Sequence, residues 1–146
     1  MDWKSIDSQA DLEFFAQSVC WEDSDLMEFC GPQHNEDYFP LDISRPGYNY
    51  PNLHVLYNVC SAPDDYLHLH LVLICCDHFS SMFLHHPSWR GRVDTLKRVE
   101  TYGWENSLEM RCSRMIYRFI PEKEVCQNLP YLYQSYLCRH LAPPEY

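Results

Sequence analysis

The chain has 146 residues, 46% of them hydrophobic and 15% aromatic, with only four Gly, which excludes collagen-like and low-complexity polymers and allows one sizeable core. Its formal charge of -10 repels phosphate backbones, so nucleic acid is not an expected main partner. The longest apolar run, Leu71 to Cys76, is too short to span a bilayer, so no membrane span is expected.

Met1-Asp2-Trp3-Lys4 lacks the charged-then-apolar layout of a secretory leader. The expected compartment is therefore the reducing cytoplasm, and the eight Cys are expected as free thiols, most of them small core residues. Charge is uneven along the chain. Met1 to Pro40 carries ten acids against Lys4 alone, whereas Arg90 to Arg118 carries seven bases and four acids. The simplest use of that contrast is pairing within the chain.

The first expected element is a helix from Ser8 to about Cys20, capped by Ser8, with Leu12, Phe15, Ala16 and Val19 at helical spacing. Trp21 to Pro51 reads as irregular, punctuated by Gly31-Pro32, Pro40 and Pro46-Gly47, with one short strand around Asp37 to Ile43. Leu53 to Cys60 and Tyr66 to Cys76 then read as a β-hairpin turning at Pro63-Asp64-Asp65. On the second strand Leu67, Leu69, Leu71, Leu73 and Cys75 point one way, and His68, His70, Val72, Ile74 and Cys76 the other. A face of leucines needs a helix or a second sheet over it.

Val93 to Tyr102 reads as a helix, with Val93, Leu96 and Val99 inward and Gly103 as its stop. Leu108 to Ile120 reads as a long strand, with Met110, Cys112, Ile116 and Ile120 on one face and Met115, Tyr117 and Phe119 on the other. Leu129 to Leu141 reads as an amphipathic helix. The expected fold class is one α+β domain over residues 1–146, with a mostly antiparallel sheet and flanking helices.

Chemistry-bearing motifs are sparse. His68 and His70 share a strand face, with Cys76 and His78 nearby, but without a second paired ligand motif they read as a solvent-facing His pair and core thiols rather than a zinc site. No Gly-rich phosphate loop, zincin helix or nucleophile elbow occurs, and Ser80-Ser81 with His78 has no supporting elbow. Cys126 follows the long strand, where sites often lie, and is either a nucleophile or a thiol at a helix edge. Pro143-Pro144-Glu145-Tyr146 fits the P-P-x-Y pattern read by WW domains, with Pro144 and Tyr146 as contacts, but such an end arises more often where a final helix stops at a proline and its tail packs back.

Three segments, His54 to Asn58 with the strand from Tyr66, Met115 to Pro121, and Leu129 to Leu141 with the tail, together resemble the autophagy-related E2-like conjugating enzymes, the type of autophagy-related protein ten and protein three. His54-Val55-Leu56-Tyr57-Asn58 with the strand from Tyr66 resembles the family's central hairpin. Met115-Ile116-Tyr117-Arg118-Phe119-Ile120-Pro121 resembles the strand leading to its His-Pro-Cys site, and Leu129 to Leu141 with the tail resembles its last helix. The resemblance implies an E2-like (UBC-like) fold and a ubiquitin-like protein or its conjugation machinery as partner. It also implies a binding face around Tyr57, Tyr117, Pro121 and Glu122, and no metal or nucleotide cofactor. The triplet here is Ile120-Pro121-Glu122, and a carboxylate cannot serve as the thioester-forming nucleophile. Either Cys126 has taken over, or the chain is an inactive scaffold. The competing reading is a non-enzymatic adaptor that recruits partners through its aromatic surface and P-P-x-Y tail.

Overall fold

The computed structural model of the chain describes residues 3–30, 52–62, 65–85, 87–131 and 137–143. After a two-residue strand β1 (Lys4–Ser5), α1 (Gln9–Gln17) starts at Ser8, whose Oγ accepts the Asp11 amide at 3.2 Å while Asp11 accepts the Asp7 amide at 3.1 Å. It stops at Ser18, whose amide and hydroxyl both return to the Phe15 carbonyl. Leu12 and Phe15 are buried, so the helical spacing read from the sequence is the spacing used.

Strand β2 (Cys20–Cys30) overturns the irregular reading of its segment. Its acidic sequence has poor strand propensity, but the edge of β3 (Leu53–Ala62) supplies hydrogen-bond partners, and propensity yields to pairing. The misfit shows as register shifts between Cys20 and Asp25 and between Leu26 and Glu28. The strand expected at Asp37 to Ile43 lies outside the described residues. Strands β3 and β4 (Asp65–Phe79) form the expected hairpin, paired from Leu53↔Leu73 to Cys60↔Tyr66.

Helix α1 covers the leucine face. Ile6, Leu12 and Phe15 pack with Val55, Tyr57, Val59, Leu69, Leu71 and Leu73, each large buried side chain contributing about 1.5–3 kcal/mol of transfer free energy. Phe15, Trp21, Tyr57, Trp89 and Tyr117 meet at centroid separations of 4.7–6.5 Å in tilted or edge-on pairs.

The expected alternation along β4 fails at one residue. Cys75 has φ 52°, which turns the strand over, so Cys76 rather than Cys75 joins the leucine face. The partner strand β7 (Leu108–Pro121) follows: Met115 and Tyr117 face the same core as Met110 and Cys112, the two groups the sequence had put on opposite faces.

Between β4 and β7 lie α2 (Ser81–His85), β5 (Gly91–Val93) and β6 (Val99–Tyr102). The helix expected over Val93 to Tyr102 is thus a hairpin. Asp94 makes the turn: its Oδ1 accepts the Leu96 and Arg98 amides at 2.8 and 3.0 Å, and its Oδ2 accepts Arg98 Nε at 2.8 Å. These bonds, the Arg98 amide first, hold its carboxyl below the usual range. Leu96, expected inward, is 71% exposed at the tip. Gln9 of α1 closes the outer edge of β5, donating to Gly91 O and accepting from the Val93 amide.

The sheet order is β2-β3-β4-β7-β6-β5, with β1 also on β7, and every pairing among the described residues is antiparallel. The fold is mixed α+β. Beyond β7 the chain forms α3 (Glu122–Gln127), a 3-10 turn Leu129–Tyr131 and α4 (Leu137–Leu141). The single helix expected from Leu129 therefore does not begin there. Pro130 carries no amide for a helical ladder, and Leu129 is 55% exposed. Leu56, Ile120, Val125, Leu137 and Cys138 form a second core on the opposite sheet face. No helix among the described residues is long and apolar enough to cross a membrane.

Candidate functional site

The second face of the sheet carries most of the buried polar chemistry. His70 pairs in register with Leu56 on one side and Arg118 on the other, and His68 with Asn58 and Ile120. His54 Nδ1 and His70 Nε2 lie 3.1 Å apart, so one ring must donate and the other accept. Trp3 stands edge-on to His70 at 4.8 Å, and Arg118 lies 5.8 Å from the Trp3 ring. Burial lowers His54 to about 4. Burial, then the charges of His54 and Arg118, push His70 well below the ordinary imidazole range. Arg118 is itself paired with Glu124 at 2.8 Å.

At the end of β7, Pro121 adopts φ -61° and ψ 145° and starts α3. Proline suits a helix start because its fixed φ continues into the first turn and its missing amide is not needed there. Glu122 and Glu124 occupy that first turn, where negative charge is favourable. One helical turn separates Glu122 from Cys126, so their side chains stack, and the exposed Cys126 Sγ donates to Glu122 Oε1 at 3.7 Å. Glu122 Oε2 contacts Nε2 of the buried His68, whose Nδ1 lies 3.0 Å from Met27 Sδ. Both ring nitrogens thus meet acceptors. The result is a line from a surface thiol through a carboxylate to a buried imidazole.

Helix α4 is held to the same face by Glu28, whose buried carboxylate accepts the Leu137 and Cys138 amides at 3.1 and 2.9 Å. These are amides of the first helical turn, which have no partner inside the helix.

The residues expected at the site divide three ways. Cys126, Pro121 and Glu122 lie together and exposed. Tyr57 and Tyr117 are instead core residues on the opposite face. Tyr57 donates to Leu84 O at 2.8 Å, and burial pushes both phenols up. They present no surface to a partner, because parity along β3 and β7 turns them toward α1. Pro144 and Tyr146 lie outside the described residues. The His and Cys side chains weighed as metal ligands are separated: His68 and His70 hold the partners above, Cys76 lies in the main core, and His78 Nε2 bonds Leu108 O at 3.1 Å. Among the described residues, no group of three or more His, Cys, Asp or Glu is arranged to hold a metal ion.

Sequence reasoning missed the His68–Glu122 and His54–His70 pairs, although the alternation that put His68 and His70 on one face was the available signal. It also missed a cleft of about 640 Å³ at the far end of β7, lined by Met82, Phe83, Tyr102, Trp104 and Glu109 among others. Trp104 there is 86% exposed. Comparison with protein-family models, with curated proteins and with solved structures found no match to this chain.

Proposed function

We propose that the chain is an E2-like protein of a ubiquitin-like, autophagy-type conjugation pathway, with Cys126 as its acyl-carrying thiol. One observation carries this reading. Cys126 Sγ sits 3.7 Å from the Glu122 carboxylate, one helical turn on from the residue that the resemblance sets against the family's cysteine. Supporting it, an antiparallel run β2-β3-β4-β7 preceded by α1 delivers the chain directly into this turn.

The chemistry balances without a cofactor. Cys126 Sγ attacks the carbonyl carbon of an incoming C-terminal thioester; a new C–S bond forms and the donor's C–S bond breaks. The thiol proton passes to Glu122 and on to the departing thiolate. In the second half an amine attacks the carrier's carbonyl, an amide forms, and Cys126 leaves as thiolate. Glu122 takes the amine's proton and returns it to sulfur. His68 holds the carboxylate in place.

The test is charging by a panel of ubiquitin-like proteins with their activating enzymes, read on non-reducing gels. A thiol-reducible adduct is expected on wild type and on Cys20→Ser, and none of that kind on Cys126→Ser. An adduct unchanged in Cys126→Ser removes this nucleophile. No adduct with any donor leaves the non-catalytic readings, an inactive scaffold or an interaction adaptor. The cleft beside the exposed Trp104 favours the adaptor among these, since large exposed aromatics anchor protein contacts.

A further inference from the structure

Strands β4 and β7 are the two longest in the sheet, and each crosses its middle. In their ladder Cys76 is the direct partner of Cys112, and both side chains are buried in the main core, so they leave the same face. We propose that Cys76 and Cys112 are a site of reversible oxidation, closing to a cross-strand disulfide when the chain meets a low-molecular-weight disulfide such as oxidised glutathione. This proposal is independent of the conjugation reading and uses neither Cys126 nor Glu122.

The geometry allows it. Directly opposed residues of an antiparallel pair have Cα atoms about 4.5–5.5 Å apart and Cβ atoms in a similar range. A disulfide accepts Cα separations of about 4.4–6.8 Å and Cβ separations of about 3.5–4.5 Å. Closure therefore asks for an approach of about 1 Å or less. The backbone is irregular on both sides of Cys76: Cys75 has φ 52°, and the ladder slips between Cys76 and His78. Such a bulged stretch adjusts more readily than a regular ladder.

The same burial makes the site slow rather than inert. Burial first, and then the adjacent Cys112 thiol, raise the Cys76 thiol well above its ordinary range, and exchange needs the thiolate. Reaction proceeds through local opening of the sheet, with the half-buried Cys75 marking the accessible end. One protein thiolate attacks the small disulfide and releases one small thiol. The other protein thiolate then attacks the protein sulfur of that mixed disulfide and releases the second small thiol. The pair loses two electrons and two protons, and the two small thiols carry both away. The new bond ties the centre of the sheet and encloses α2, β5, β6 and the Trp104 cleft in one covalent loop.

The experiment treats the folded full chain with oxidised glutathione, blocks remaining thiols in denaturant and maps peptides without reduction. A linked Cys76–Cys112 peptide is expected, together with a Tm rise of roughly 5–10 °C that dithiothreitol reverses. Cys112→Ala loses both. Because the mapping is done on wild type, the result does not depend on that core variant folding. Glutathione found on Cys20 and Cys126 with Cys76 and Cys112 still blocked as thiols overturns the proposal. So does a bond mapped to Cys75 in place of Cys76.

Discussion

Acid should destabilise this protein through the His54–His70 pair, beginning above the range in which carboxylates titrate. An unfolded His54 titrates at its ordinary 6.5, and the folded residue at about 4 because burial penalises its charged form. Between those values the unfolded chain binds more protons, so stability rises with pH through the window and is lost as pH falls through it. For His54 alone the loss is about 2 kcal/mol between pH 7 and pH 5, and about 3 kcal/mol by pH 4. His70 shifts the same way, and its charge would meet Arg118 and His54. With His54 Nδ1 and His70 Nε2 3.1 Å apart, double protonation also puts two N–H donors face to face. The two rings titrate as a coupled pair, so the measured quantity is their joint effect. A loss of this size is a large fraction of a typical domain's stability of about 5–15 kcal/mol. The assay is urea unfolding followed by tryptophan fluorescence at pH 7, 6 and 5, for wild type, His54→Gln and His70→Gln. Either variant should flatten the pH dependence, whatever its effect on absolute stability. A wild-type difference between pH 7 and pH 5 no larger than that of His54→Gln would refute the reasoning.

Two further outcomes follow from close contacts elsewhere. In Gly91→Ala the new Cβ would sit 1.8 Å from the Glu100 carbonyl oxygen, a backbone atom of the paired strand that cannot swing aside. The β5–β6 hairpin must deform, at a cost of roughly 3 kcal/mol, and thermal unfolding within about 2 °C of wild type would contradict this. Glu28→Ala removes both acceptors of the first α4 amides and should cost about 2–3 kcal/mol, with Glu28→Gln losing less because one oxygen remains. Hydrogen exchange at Leu137 and Cys138 should quicken in both variants; unchanged protection in Glu28→Ala would show that packing alone seats the helix.

The parts of this fold that were legible in the sequence are those whose signal is local. Ser8 and Asp11 mark a helix start because a cap acts within three residues. The Leu67–Leu73 alternation marks a strand because side chains alternate with every peptide, and the apolar run before it supplies that strand's antiparallel partner, while the turn expected at Pro63-Asp64 lies outside the described residues. Cys126 was singled out from its place after a long strand, but its contact with Glu122 required α3, which lay outside the expected elements.

The rest depended on partners far away in the chain. Val93, Leu96 and Val99 fit a helical stripe and a tight hairpin equally, and the free edge of β7, together with the bonds gathered by Asp94, decided for the hairpin. Acidic β2 is a strand because β3 offers it an edge. The turnover at Cys75 moved Cys76 into the core opposite Cys112, and no composition or spacing announces a single residue at positive φ. Sequence alone determined where the chain prefers to coil and to alternate, since those preferences are settled between near neighbours. Which face each strand presents, and so which thiols and imidazoles meet, was decided only when the seven described strands competed for the same hydrogen bonds and the same core.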